Sequence, residues 1–195
     1  MKSGSKEMYY LDTSTIISHL CISEHKHDIV SKFLHELRSR NRDIYTSTYA
    51  LTEVVNTLCR IAYEYEKSGK SFIEPLNSFV KRVKDLEDRC KAILGFVIGF
   101  LTTGLGVKII DNPENYQFTE LAQGDNLKVP KIFKVAIELS PKVKLRIKDL
   151  LHAVYAYMLS QSYGIRYIIT LDEENFAKVA QDMKSLLNID VVVPH

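Results

Sequence analysis

Cysteine is scarce in this chain of 195 residues: there are three, Cys21, Cys59 and Cys90, and they stand far apart. An odd, scattered set excludes a disulfide framework and a zinc pair of the Cys-x-x-Cys kind, and a reducing, cytoplasmic setting is expected. Long apolar runs are also missing. The stretch 92–107, between Lys91 and Lys108, is uncharged and mostly apolar, but a membrane span needs about 20 apolar residues. Gly95, Gly99, Gly104 and Gly106 interrupt it, so a buried helix is expected there and no membrane role. The Gly95/Gly99 spacing leaves a homodimer face as a lesser possibility. Residues 1–7 hold no signal-peptide apolar region, so nothing marks export. There is no internal repeat and no low-complexity tract, and a net charge of +2 is too small to indicate a partner by itself.

What is present is a core-forming composition, 46% hydrophobic, enough for a single domain over 1–195. Short apolar runs rich in β-branched and aromatic residues predict strands at 8–11, 44–47, 107–110, 167–170 and 189–193. Between them, helical spacing predicts helices over 29–38 with Asp28 as cap, 48–66, one or two over 72–101, and one over 142–162 stopped by Gly164. Strands alternating with amphipathic helices give an α/β chain: three layers, α/β/α, with a mainly parallel central sheet and an enlarged helical middle region. Residues 112–130, with their Asn, Pro, Gly and Gln content, read as a long loop insertion.

Charge is informative where it clusters. Between 128 and 148 stand Lys128, Lys131, Lys134, Lys142, Lys144, Arg146 and Lys148, opposed only by Glu138, and the block runs into Asp149. A solvated helix face is the ordinary explanation. Cations beside an acid also suit a phosphodiester substrate, with Lys144, Arg146 and Lys148 as candidate phosphate contacts.

The acids themselves fall at element edges. Asp12 ends the first strand and precedes Thr13 and Ser14; Asp172 ends the run Tyr167-Ile168-Ile169-Thr170-Leu171. Both could be plain helix caps. Ligands of open α/β sheets, however, bind beyond the carboxyl ends of the strands, where these two would meet. Glu53 with Asn56 lies on the 48–66 helix, and Asp149 opens the next apolar helix, where a carboxylate also complements the helix dipole. His152 reads as a packed or hydrogen-bonded histidine rather than a ligand. Carboxylates gathered in one crevice repel one another unless a cation joins them, and a hard ion such as Mg²⁺ takes oxygen ligands.

In that ordered set the sequence resembles the PIN-domain (VapC-like) family of metal-dependent nucleases. The residues that carry the resemblance are Leu11-Asp12-Thr13-Ser14, Glu53 with Asn56, Lys148-Asp149-Leu150-Leu151-His152-Ala153, and Ile169-Thr170-Leu171-Asp172 with Phe176. It spans nearly the whole chain apart from 112–130. The resemblance implies Asp12, Glu53, Asp149 and Asp172 as the catalytic quartet binding Mg²⁺ or Mn²⁺, with Ser14 and Asn56 as supporting polar groups and Glu174 and Asn175 as further candidates. It implies an endoribonuclease acting on RNA, a toxin of a toxin-antitoxin pair or an RNA-processing enzyme, with an antitoxin-type protein inhibitor as a possible partner. The chain is longer than compact PIN toxins. The alternative is a non-catalytic RNA-binding or assembly module on the same fold; a phosphotransferase through an aspartyl nucleophile is disfavoured because Ser14 stands where a second acid is usual.

Overall fold

The computed structural model describes residues 7–64, 69–122 and 126–195. The chain begins with β1 (Met8–Leu11), α1 (Thr13–Leu20), α2 (His27–Ser39), β2 (Asp43–Thr46) and α3 (Thr48–Tyr63). Then come α4 (Leu76–Arg82), α5 (Leu86–Gly99) with a π-helical turn at Phe100–Gly104, and β3 (Lys108–Ile109). After a 3₁₀ turn at Pro113–Tyr116 follow β4 (Phe118–Glu120), β5 (Lys128–Pro130), α6 (Lys131–Leu139) and α7 (Ile147–Tyr163). The chain ends with β6 (Tyr167–Ile169), α8 (Glu173–Asp182) and β7 (Asp190–Val192).

Five strands form one sheet in the order β3-β2-β1-β6-β7, all pairings parallel. Helices cover both faces, giving the expected three-layer α/β/α arrangement. One face carries α1 to α5, with Leu20, Leu34, Leu58, Phe72 and Val97 buried. The other carries α6 to α8, with Tyr10, Val154, Leu159, Ile168 and Phe176 buried. Each such side chain contributes about 1.5–3 kcal/mol through burial, so the sheet is held from both sides. The strand order reverses beside β1: the chain first builds outward through β2 and β3, then returns to β6 on the other side. The crevice at that reversal is where an open α/β sheet offers a ligand site.

Several elements differ from the sequence expectation. Residues 112–130 are not a bare loop: β4 and β5 pair antiparallel, with Thr119 opposite Val129. Residues 123–125 of that stretch, the end of the 48–66 helix at Glu66, and residues 1–6 lie outside the described residues. The 142–162 helix begins later, at Ile147, and α6 is a separate helix before it. Asp28 lies in the first turn of α2 rather than at its cap, which is Lys26. The 92–107 segment has only one buried face: Ile93 and Val97 are buried, whereas Leu94 and Ile98 are exposed. Among the described residues no helix is long and apolar enough to cross a membrane.

Candidate functional site

Asp12 leaves β1 and caps α1, its Oδ1 accepting the Ser14 amide at 3.4 Å. Its Oδ2 accepts from the Ser14 hydroxyl at 2.9 Å and from Thr170 Oγ1 at 2.5 Å. Thr170 and Asp172 follow β6, the neighbouring strand, so parallel pairing of β1 with β6 brings the two ends together. Asp172 caps α8: Asn175 donates to it through its backbone amide at 3.2 Å and its side-chain amide at 2.7 Å. Asp12 is almost fully buried, 4% exposed, and a carboxylate so placed requires donors around it.

His152, 2% exposed, links the layers. Its Nε2 lies 2.8 Å from Glu53 Oε2 and 3.1 Å from Asp12 Oδ1. Nδ1 is 3.1 Å from the Tyr10 hydroxyl, which is 2.8 Å from Ser47 Oγ, and that oxygen also accepts the Ala50 amide and so caps α3. Burial opposes a charge on His152, but the Asp12 carboxylate and the Glu53 hydrogen bond outweigh it and raise its pKa. In the charged form both ring nitrogens donate, Nδ1 to Tyr10 and Nε2 to the carboxylates, while the Tyr10 hydroxyl donates a hydrogen bond to Ser47 Oγ. Burial likewise pushes Glu53 up, yet His152, the Thr13 hydroxyl at 3.0 Å and nearby Lys148 bring it below the usual carboxylate range. Lys148 Nζ stands 3.5 Å from Glu53 Oε1.

Asp149, in the first turn of α7, differs from the other acids. Its pKa is raised, first by burial and then by the charges of Asp172 and Asp12. Among the described residues its side chain accepts no hydrogen bond, whereas Asp12, Glu53 and Asp172 all do. The structure therefore brings Asp12, Glu53, Asp149 and Asp172 to one crevice, with Ser14 against Asp12. Asn56 goes elsewhere: it is exposed, in a recess with Leu51, Val55 and Leu94. Glu174 pairs with Lys178 at 3.1 Å on the surface, while Asn175 orients Asp172. Lys144 and Arg146 are exposed beside the start of α7, as is Lys148.

The donors are hard oxygens, the type that suits Mg²⁺ or Mn²⁺, and the repulsion at Asp149 is charge that a cation would cancel. As the side chains stand, no group of three or more His, Cys, Asp or Glu among the described residues is arranged to hold a metal ion. Protein donors occupy the oxygens of Asp12, Glu53 and Asp172 instead. Chemistry fits the ion; the side-chain arrangement does not yet gather around one.

No family model and no curated protein matches the chain. Among solved structures it is similar to the crystal structure of VapBC2 from Rickettsia felis bound to a DNA fragment from their promoter. That likeness has 18% identity and a TM-score of 0.49, over 96% of this chain and 99% of that chain. Similarity at this level transfers neither family nor function.

Sequence reasoning missed the groups that organise the acids. Thr13, Thr170 and Tyr10 lie beside or within the motifs but have no signature of their own; Tyr10 is one of two tyrosines in the four-residue β1, and only the burial pattern singles it out. Tyr49 stacks on Tyr155 with centroids 5.5 Å apart and meets His152 edge-on at 5.0 Å. Tyr155 in turn shares a 2.9 Å hydrogen bond with Tyr116, ahead of the β4-β5 hairpin.

Proposed function

We propose that the chain is a Mg²⁺- or Mn²⁺-dependent nuclease, most simply an endoribonuclease, acting at Asp12, Glu53, Asp149 and Asp172. The observation that carries this reading is Asp149: a half-buried carboxylate whose pKa is raised by burial and by two neighbouring aspartates. Negative charge that His152 and Arg146 offset only in part, at the carboxyl edge of a parallel sheet, is expected where a cation and a phosphodiester are to be bound. Asp12, Asp149 and Asp172 would hold the ion, with Glu53 beside them; the ion would supply charge neutralisation and an activated water. The chain's own contribution is orientation. Ser14 and Thr170 fix Asp12, Asn175 fixes Asp172, and His152 with Lys148 steadies Glu53. Lys144, Arg146 and Lys148 offer charge to flanking phosphates. RNA as substrate, a toxin or RNA-processing role, and an antitoxin-type protein inhibitor follow from the PIN resemblance of the sequence.

A second reading, a non-catalytic RNA-binding or assembly module, is favoured by the protein donors that already engage Asp12, Glu53 and Asp172. Cleavage of a labelled mixed-sequence single-stranded RNA separates the two. With Mg²⁺ or Mn²⁺ the wild type should cut, chelator should stop it, and Asp149→Asn should lower the rate by at least a hundredfold, the scale of losing a principal charge-stabilising group. Cutting that persists in the variant rejects this site; RNA binding without cutting supports the assembly module.

A further inference from the structure

A cleft of about 310 Å³ lies beside the acidic centre on the α1–α3 side and meets it at Ser14. Helical spacing builds its walls. Glu53, Thr57 and Arg60 recur at i, i+4 and i+7 on α3, so the face that presents Glu53 to the acids continues along the helix to Arg60. On α1, Ser14 and Ser18 recur at i and i+4 in the same way. Ser14, Ser18, Thr57 and Arg60 all line the cleft, together with Lys26 at the start of α2 and Lys70. Ser14 is the seam: its hydroxyl donates to Asp12 at 2.9 Å and accepts the Leu171 amide at 3.0 Å.

Two features distinguish this cleft from a solvated charged surface. Its cations outnumber its acids: Lys70 is engaged by Glu24 at 2.9 Å and Lys26 approaches Glu173 only at 3.7 Å, while Arg60 has no ion pair among the described residues. Ser18 supplies the independent observation. It is 4% exposed, and its hydroxyl has no hydrogen-bond partner among the described residues. That oxygen is closed off from solvent, so a small side-chain turn towards the cleft is what brings it to an arriving acceptor, and a buried hydroxyl without a partner favours that turn. Such an acceptor, in a basic cleft contiguous with an acidic centre, is an anionic oxygen. The volume lies at the lower end of small-ligand pockets, about 300–1,000 Å³, sufficient for one phosphate with its sugar.

We propose that this cleft binds a backbone phosphate of the nucleic-acid strand adjacent to the bond held at the acids, with Arg60, Lys26 and the Ser18 hydroxyl as its ligands. The inference rests on the nuclease reading for the polymer but not for the cleavage step. The strand then crosses the site from the cations at the start of α7 in one layer to Arg60 and Lys26 in the other. Arg60 and Lys26 are phosphate-positioning residues; they do not touch the reacting atoms.

The test is the salt dependence of binding, measured with Asp149→Asn protein and labelled single strands of RNA and of DNA with the same base sequence. Each phosphate neutralised in a single strand contributes about 0.7 to the slope of log K against log salt. Adding Lys26→Ala and Arg60→Ala together, which removes both cations from the one phosphate, should lower the slope by about 0.7 on both polymers, so that affinity at 50 mM salt relative to 200 mM falls by about 2.6-fold compared with the parent. Arg60→Lys, which keeps the charge, should keep its share of the slope. Retained binding with an unchanged slope overturns this inference and leaves the nuclease reading standing. A loss confined to RNA overturns the phosphate assignment in favour of a sugar contact. Absence of binding to either polymer by the parent protein overturns the cleft assignment and the nucleic-acid reading together.

Discussion

At the scale of single residues, the site depends on who neutralises Asp12. Thr170 is fully buried, donates to Asp12 Oδ2 and accepts the Asp172 amide at 3.1 Å, so one hydroxyl couples two of the acids. Thr170→Val keeps the shape and removes both bonds. Since hydrogen bonds to charged groups contribute about 1.5–3 kcal/mol, unfolding stability should fall by roughly 2 kcal/mol, read as a lower urea midpoint. An unchanged midpoint would mean that Ser14 alone satisfies Asp12. The positions of Asp12, Asp149 and Asp172 were legible in the sequence because strand ends and helix starts have local signatures; Glu53, inside α3, has none. His152 was legible only as a packed, hydrogen-bonded residue. Its partners are 142 positions away at Tyr10 and 99 at Glu53, and no local pattern encodes contacts across the sheet.

At the scale of elements, the clearest readings were those with strong punctuation. Gly164 ends α7 with φ +78, as its place after a long apolar helix suggested. A Cβ there would come no closer than 4.0 Å to Met8 Sδ, so the cost of Gly164→Ala is conformational rather than steric. It should be roughly 1 kcal/mol, seen as a shift in denaturation midpoint without a change in slope. A larger loss with a changed slope would show that α7 itself had frayed. The hairpin within 112–130 was not legible, because β4 and β5 have three residues each, too few for an alternation to register, and β5 ends in Pro130. Likewise α6 was hidden by its lysines, which stood out as charge while Ile132 and Ala136 were buried against the layer. Asn56 shows the limit of spacing arguments: three residues past Glu53 it falls on the edge of that face, in a recess that α3 shares with Leu94 of α5.

At the scale of the whole molecule, the fold was legible because strand and helix periods alternate and a parallel sheet buried on both faces is their common solution. Its acid sensitivity has an identifiable source outside the site. His19, in the last turn of α1 and facing α2, is stacked against His27 at 6.1 Å, and burial, with the His27 charge second, lowers its pKa from 6.5 to about 4. The unfolded chain therefore takes up this proton first, so the stability it carries is full above pH 6.5 and is lost as pH falls towards 4. His19→Gln should lose less stability between pH 7 and pH 5 than the wild type when urea midpoints are compared. Parallel losses would assign the acid limb to other groups.

The tyrosine stack beside His152 has one more consequence. The chain has no tryptophan, so its near-ultraviolet signal comes from tyrosine. Tyr49 is stacked on Tyr155 and edge-on to His152, so the proposed ion or strand, on entering the acidic centre, would change the surroundings of that pair. Two of its eleven tyrosines thus stand at the crevice, and no indole outshines them there.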